Sequence, residues 1–290
     1  MKWSAKKFKA ILSFLSLSCL LAAAPLQAQT AEEKGFKIME KMDRLPVHEK
    51  VLSDMVMNIY DSQGKKLFSK KSRMASYQSD YKDPAKRLSR TIAYFYSPAD
   101  DKGNGSLITE QDGDKDDDQW LYLKGLRKPK RIVGSDKSSS FMGSDFSNGD
   151  ISPRDLEDFN FTWLATEKVA FKKKKLTVQK IQAVFKEEQK KKDYGYSKTN
   201  LWVHPKTGLV FKMEMYNLND QLMKRARLLS FKVLKNRDNK KIFISTSLEM
   251  KNIIKGTKTV MKTKNLRVEK KAKSVKSGMF KVAYLTRRWW

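Results

Sequence analysis

The sequence holds one cysteine, Cys19, and two histidines, His48 and His204, among 290 residues. A lone thiol excludes a disulfide framework. The histidines are far apart and lack HExxH-type spacing, so a zinc, haem or Cys/His catalytic centre is not expected, and both are read as surface residues near turns. There is no GxSxG elbow and no GxxxxGK[ST] phosphate loop. The acidic run Asp112 to Asp118 starts like a calcium loop. It departs where Asp117 stands in place of the turn glycine and Leu123 in place of the bidentate glutamate, and it is read as a polar turn. No cofactor is expected, and the chain is not expected to be an enzyme. Long apolar runs are scarce as well: after Gln29 none approaches the roughly 18 to 20 residues of a membrane-spanning helix.

The one apolar run stands at the start. Met1 to Lys9 carries four lysines and no acid, and Ala10 to Ala24 is apolar or small apart from three serines and Cys19. A basic segment followed by a short apolar one, with Pro25 and then Ala28 before Gln29, reads as a cleaved signal peptide over residues 1–28. Residues 29–290 are then expected to form a single domain in the periplasm. A second reading stays open, in which Leu15 to Cys19 is a loose lipobox and Cys19 the acylated N-terminus of a lipoprotein.

Acids are outnumbered: 61 Lys and Arg face 32 Asp and Glu, a net charge of +29. Such an excess usually suggests nucleic acid, a partner that export excludes. Anionic lipid head groups, phosphates or an acidic protein remain, beside the plain reading of solvated lysine-rich faces.

What is abundant is alternation. Ala31 to Leu45 is expected to be a helix, with Ile38, Met42 and Leu45 on one face and Pro46 at its end. Period-two patterns follow in Val51 to Tyr60, a return strand through Phe68, Thr91 to Tyr96, Ser106 to Thr109 and Gln119 to Leu123. They resume in Leu176 to Phe185, Asn200 to His204, Leu209 to Tyr216, Arg227 to Leu234, Ile242 to Leu248 and Thr257 to Leu266. In Leu209 to Tyr216 the residues Leu209, Phe211, Met213 and Met215 are expected to share a face. Gly134 to Asp150 is irregular, yet keeps Phe141, Met142 and Phe146, which a disordered linker seldom does. The expectation is a mostly β fold with few helices: about 10 to 11 antiparallel strands in a strongly curved sheet or barrel.

Three blocks carry a resemblance. Asp117-Asp118-Gln119-Trp120-Leu121-Tyr122-Leu123, Arg127-Lys128-Pro129-Lys130-Arg131-Ile132, and Phe141 to Ser147 with Asp155-Leu156 resemble the outer-membrane lipoprotein-sorting family related to the periplasmic carrier LolA. The resemblance implies an incomplete antiparallel barrel closed by an N-terminal helix and a loop or short-helix lid. It also implies an apolar cavity for lipid or lipoprotein acyl chains, an inner-membrane exporter and an outer-membrane acceptor. On that expectation the cavity and lid candidates are Met55, Met57, Trp120, Tyr122, Phe141, Met142, Phe146, Trp163, Met213 and Met215. Methionine's flexible thioether suits walls that must adapt, and Gly143 would hinge the lid. Arg127, Lys128, Lys130 and Arg131 are candidates for anionic head groups or a partner's acidic rim, with transient contact at a membrane surface. Lys172 to Lys175 and Lys190 to Lys192 read as solvated charge, and Tyr284 to Trp290 as a last strand or a membrane-touching tail. The competing reading is a non-catalytic adaptor whose barrel is filled by its own side chains.

Overall fold

A computed structural model describes residues 29–290 apart from 113, 114 and 116; the signal-peptide and Cys19 readings fall outside the described residues. Helix α1, Ala31–Asp43, begins in a capping box in which the Thr30 hydroxyl accepts from the Glu33 amide and the Glu33 carboxylate from the Thr30 amide. The chain then enters thirteen strands. They are β1 (Lys50–Tyr60), β2 (Lys66–Ser79), β3 (Leu88–Ser97), β4 (Gly105–Thr109), β5 (Asp118–Leu123), β6 (Lys128–Arg131) and β7 (Phe159–Phe171). After β8 (Lys174–Phe185) comes a second helix, α2 (Glu188–Tyr194), then β9 (Lys198–His204), β10 (Leu209–Tyr216), β11 (Leu222–Lys235), β12 (Lys241–Asn252) and β13 (Lys258–Val268).

All thirteen strands belong to one antiparallel sheet, ordered β6-β5-β4-β3-β2-β1-β13-β12-β11-β10-β9-β8-β7. Two meanders are joined where β1 pairs with β13, and the sheet is not closed. Residues 132–158, with three short 3-10 turns, connect the two edge strands β6 and β7.

Side chains alternate across the sheet, and apolar residues gather on both faces. On one face, Met55, Met57, Phe95 and Leu121 form a cluster at the β1–β5 end, while Phe159, Phe161, Ile181, Val203, Met215 and Met250 form a larger one at the β7–β12 end. Met261 of β13 touches both clusters, so this inner face is continuous, and Ile151 of the 132–158 connection packs against both. The outer face of the first meander carries the cross-strand row Leu52, Ala75, Ile92, Leu107 and Trp120. It is covered by the C-terminal segment through Ala272, Val275, Met279, Phe280 and Leu285. On the outer face of the second meander the β7–β8 hairpin curls until Phe171 lies 5.5 Å, ring to ring, from Phe231 of β11. Flat strands four places apart would be roughly 19 Å apart.

The structure extends the sequence expectation. Thirteen strands stand against the expected 10 to 11. β6, with Pro129 and three bases, looks like a charged loop, and the alternation of Phe159, Phe161 and Trp163 in β7 breaks at a bulge over Leu164. The lysines 190–192 belong to α2, a helix with one buried residue, Tyr194. A bulge at Phe211 turns Leu209 and Phe211 to the outer cluster, away from Met213 and Met215. The end of the chain forms 3-10 turns, not a strand, and Trp290 packs edge-on to Tyr94 with ring centroids 5.3 Å apart.

Gly35 sets how closely α1 approaches the sheet. A Cβ there would lie 2.8 Å from both the Phe161 carbonyl oxygen and the Trp163 amide nitrogen. Gly35→Ala is therefore expected to destabilise the protein by about 2 kcal/mol in chemical denaturation, although alanine gains about 1 kcal/mol in helix propensity.

Candidate functional site

The inner face is occupied by the chain itself. Residues 134–155 enter between the two meanders and bury Phe141, Met142 and Phe146. Phe141 and Met142 pack with Met55, Met57, Phe95 and Leu121, whereas Phe146 joins the cluster of Phe159, Phe185 and Met215. Burying such side chains is worth roughly 1.5 to 3 kcal/mol each. The segment folds back on itself: the Phe141 amide donates to the Phe146 carbonyl at 2.8 Å, and Ser140 bridges to Ser147. Met142 and Gly143 make the reversal in left-handed conformations, with φ of 52° and 72°.

Polar anchors hold this plug to strands on both sides. Asp145 accepts from the hydroxyls of Thr257 and Thr259, the latter at 2.7 Å on β13. Gln119 of β5 donates to the Asn148 carbonyl and accepts from the Ser152 hydroxyl. Deepest is Asp150, which accepts from Lys224 Nζ of β11 at 2.9 Å and the Tyr196 hydroxyl at 2.8 Å, with Arg154 at 3.5 Å. Burial alone would raise the Asp150 pKa, but Lys224, Arg154 and the Ser147 amide outweigh it and hold the carboxyl below its usual range. Burial, and then the neighbouring Asp150, push the Tyr196 phenol well above its ordinary value.

Eight of the ten proposed cavity and lid residues lie along this inner face. Met55, Met57, Phe141 and Met142 belong to one cluster, and Phe146, Trp163, Met213 and Met215 to the other. Trp120 and Tyr122 are corrected: they face outward beneath the C-terminal segment, and Leu121 and Leu123 are the inward residues of β5. The proposed lid is a plug, buried rather than hinged open, and Gly143 is its exposed tip. The anchors Asp145, Asp150, Gln119 and Lys224 were missed. Isolated polar residues carry no sequence pattern that marks them as buried, although Asp150 in a loop otherwise rich in serine was the available hint.

The four basic candidates divide. Arg127 and Lys128 are exposed at the turn between β5 and β6. Lys130 pairs with Asp136 at 2.9 Å and Arg131 with Asp118 at 2.5 Å, bracing the edge strand. Between the end of β6, the 3-10 turn that follows it and α2, a cleft of about 360 Å³ is lined by Arg131, Val133, Lys137, Glu187 and Asp193, with Asp117 at its wall. Burial, then the charge of Asp155, push the Asp117 carboxyl up to about 7.

His204 lies at its expected turn, Nδ1 3.0 Å from the Thr207 hydroxyl. His48 departs from expectation: burial, aided by the positive charge of Arg87, lowers its pKa to about 4. Among the described residues no group of three or more His, Cys, Asp or Glu is arranged to hold a metal, and no helix is long and apolar enough to cross a membrane.

A family described as "Uncharacterized protein" matches residues 87–287. Among solved structures, a DUF1329 family protein from Desulfovibrio piger shares 25% identity at a TM-score of 0.75, covering 88% of this chain and 99% of its own. A domain proposed to be an outer membrane lipoprotein-sorting protein, from Vibrio parahaemolyticus, also shares 25% identity at a TM-score of 0.73, covering 88% and 100%. A LolA superfamily protein from Nitrosomonas europaea shares the fold at 16% identity and a TM-score of 0.61, covering 86% and 98%. No curated protein matches the sequence.

Two outcomes follow from this geometry. Asp150→Asn leaves Lys224 buried without its counter-charge, and about 3 to 5 kcal/mol of stability is expected to be lost in urea unfolding. As pH falls below about 6.5 the unfolded state protonates His48, while the native state resists until about 4. Stability therefore falls across that window by on the order of 2 kcal/mol. His48→Gln is expected to flatten that part of the stability-versus-pH curve.

Proposed function

This chain belongs to the LolA-like family that includes the DUF1329 proteins, and from that premise we propose that it is a non-catalytic periplasmic carrier. Its cargo is lipid or the acyl chains of lipoproteins, taken up on the inner face and carried towards the outer membrane. The observation behind this reading is the plug. Phe141, Met142 and Phe146 fill the space between two methionine-containing walls, held by hydrogen bonds and ion pairs that do not depend on the apolar contacts.

Cargo replaces the plug in kind. Each acyl methylene moved out of water contributes about 0.8 kcal/mol, so a chain of modest length offsets the exposure of three plug side chains. Met55, Met57, Met213, Met215, Met250 and Met261 supply walls that re-pack without rotamer strain. The polar anchors give the empty carrier one closed state, as a two-state element requires. Residues 1–28, read as a cleaved signal peptide, deliver the chain to the periplasm, where an inner-membrane exporter and an outer-membrane acceptor are the implied partners.

The test is a solvent extract of protein purified without detergent, analysed by mass spectrometry, beside uptake of an apolar fluorophore. Asp145→Ala removes the anchor nearest the exposed tip while keeping every apolar contact. It is expected to raise fluorophore uptake several-fold, and the native protein to yield co-purifying lipid or acylated peptide. A folded protein that carries nothing and takes up no fluorophore, in both forms, would reject the carrier and leave the self-filled adaptor.

A further inference from the structure

Strand connections in the two meanders alternate between two rims of the sheet, and the rims differ in chemistry. One rim bears the turns β1–β2, β3–β4, β5–β6, β10–β11 and β12–β13, together with the β8–β9 connection that carries α2, and neighbouring turns touch along it. The Lys124 amide donates to Asn104 Oδ1 at 2.9 Å, Lys70 pairs with Asp101 at 2.9 Å, and the Ile253 amide donates to the Met223 carbonyl. A Cβ on Gly256 would lie 3.1 Å from that of Ser62.

Of the nine large apolar side chains that stand exposed among the described residues, five crown this rim: Leu67, Phe68, Leu126, Leu218 and Ile254, each between 49% and 62% exposed. The other four lie singly on α1, after β6, on β7 and on β11. A bulge opposite Ile59 makes Leu67 the extra residue of β2, which breaks alternation and leaves Leu67 and Phe68 both facing solvent. Exposed bases flank these tips: Lys65 and Lys66 before Leu67, Lys124 before Leu126 with Arg127 and Lys128 after it, and Lys255 beside Ile254. Acids here are largely committed. Asp101 pairs with Lys70, Asp220 with Lys198, Glu188 with Lys191, and Asp61 accepts from the amides of Gln63 and Lys65; Asp100 and Glu187 are exposed.

Positive charge alone does not single out this rim, because the opposite one carries Lys172, Lys173, Lys206, Arg237 and Lys240. Protruding apolar tips interleaved with bases do. Such tips enter the acyl boundary of a bilayer while the bases meet its phosphates. We propose that this rim docks on the surface of an anionic phospholipid bilayer, with Phe68, Leu126 and Ile254 as inserted tips. Thr257 and Thr259, which hold Asp145 of the plug, lie at the same end of the sheet, so docking brings the plug's outer anchor to the bilayer.

The test is flotation of the purified protein with vesicles of phosphatidylcholine alone or mixed with phosphatidylglycerol, at low and high salt. The protein is expected to float with the mixed vesicles and much less with phosphatidylcholine alone. Changing Phe68, Leu126 and Ile254 together to serine is expected to weaken binding by about tenfold, with thermal unfolding unchanged because all three side chains are exposed. Reversing Lys65, Lys66, Arg127 and Lys128 to glutamate is expected to abolish it, while reversing Lys172, Lys173 and Lys174 on the other rim leaves it intact. Absence of binding, equal binding to uncharged vesicles, or equal loss from both rims without effect of the serine changes would overturn the assignment.

Discussion

An antiparallel sheet that curls without closing leaves an apolar inner face larger than its own strands can cover. Everything else in this protein answers that constraint. The covering is done by α1, through Ile38, Met39 and Met42, and by residues 134–155, which must take their own backbone into the interior. A buried irregular backbone is tolerable only if its polar groups are satisfied. That is the task of the Phe141–Phe146 turn and of the Asn148 contacts to Gln119 and Asp136. Asp150 with Lys224 then fixes the register of the plug against β11 in a way that apolar contacts, being non-directional, do not.

The same division explains how a rigid wall and a displaceable filling coexist. The sheet is held by long ladders, such as the eleven-residue β1 and fourteen-residue β11, and by an outer face with its own cover. Opening the inner face therefore leaves the outer clusters untouched. The plug, by contrast, makes no ladder with the sheet; its attachment is a few side-chain contacts and four apolar residues, Phe141, Met142, Phe146 and Ile151. Local opening of such a segment costs far less than global unfolding.

The wall was more legible in the sequence than the filling. Period-two patterns located eleven strands, because half-buried strands write their exposure directly into residue type. They missed β6, where an edge position favours Pro129 and lysine, and β7, where a bulge breaks the period. In β5 alternation showed that Trp120 and Tyr122 share a face, but not which face looks inward. That depends on the C-terminal segment, whose irregular turns have no period to read. The aromatics of residues 134–155 announced a segment with a task, and the resemblance named the architecture. The anchors stayed invisible because a buried aspartate is distinguished only by a lysine 74 residues away.

An open sheet has two free edges, and each is blunted. β6 is four residues long, interrupted by Pro129 and flanked by bases, while β7 is pressed by α1 so closely that only Gly35 fits against its backbone. A row of unpaired amides is a template on which a second chain can grow. With both ends of its ladder spoiled in different ways, the sheet stays unclosed without offering a second chain a long, flat row of amides on which to stack edge to edge.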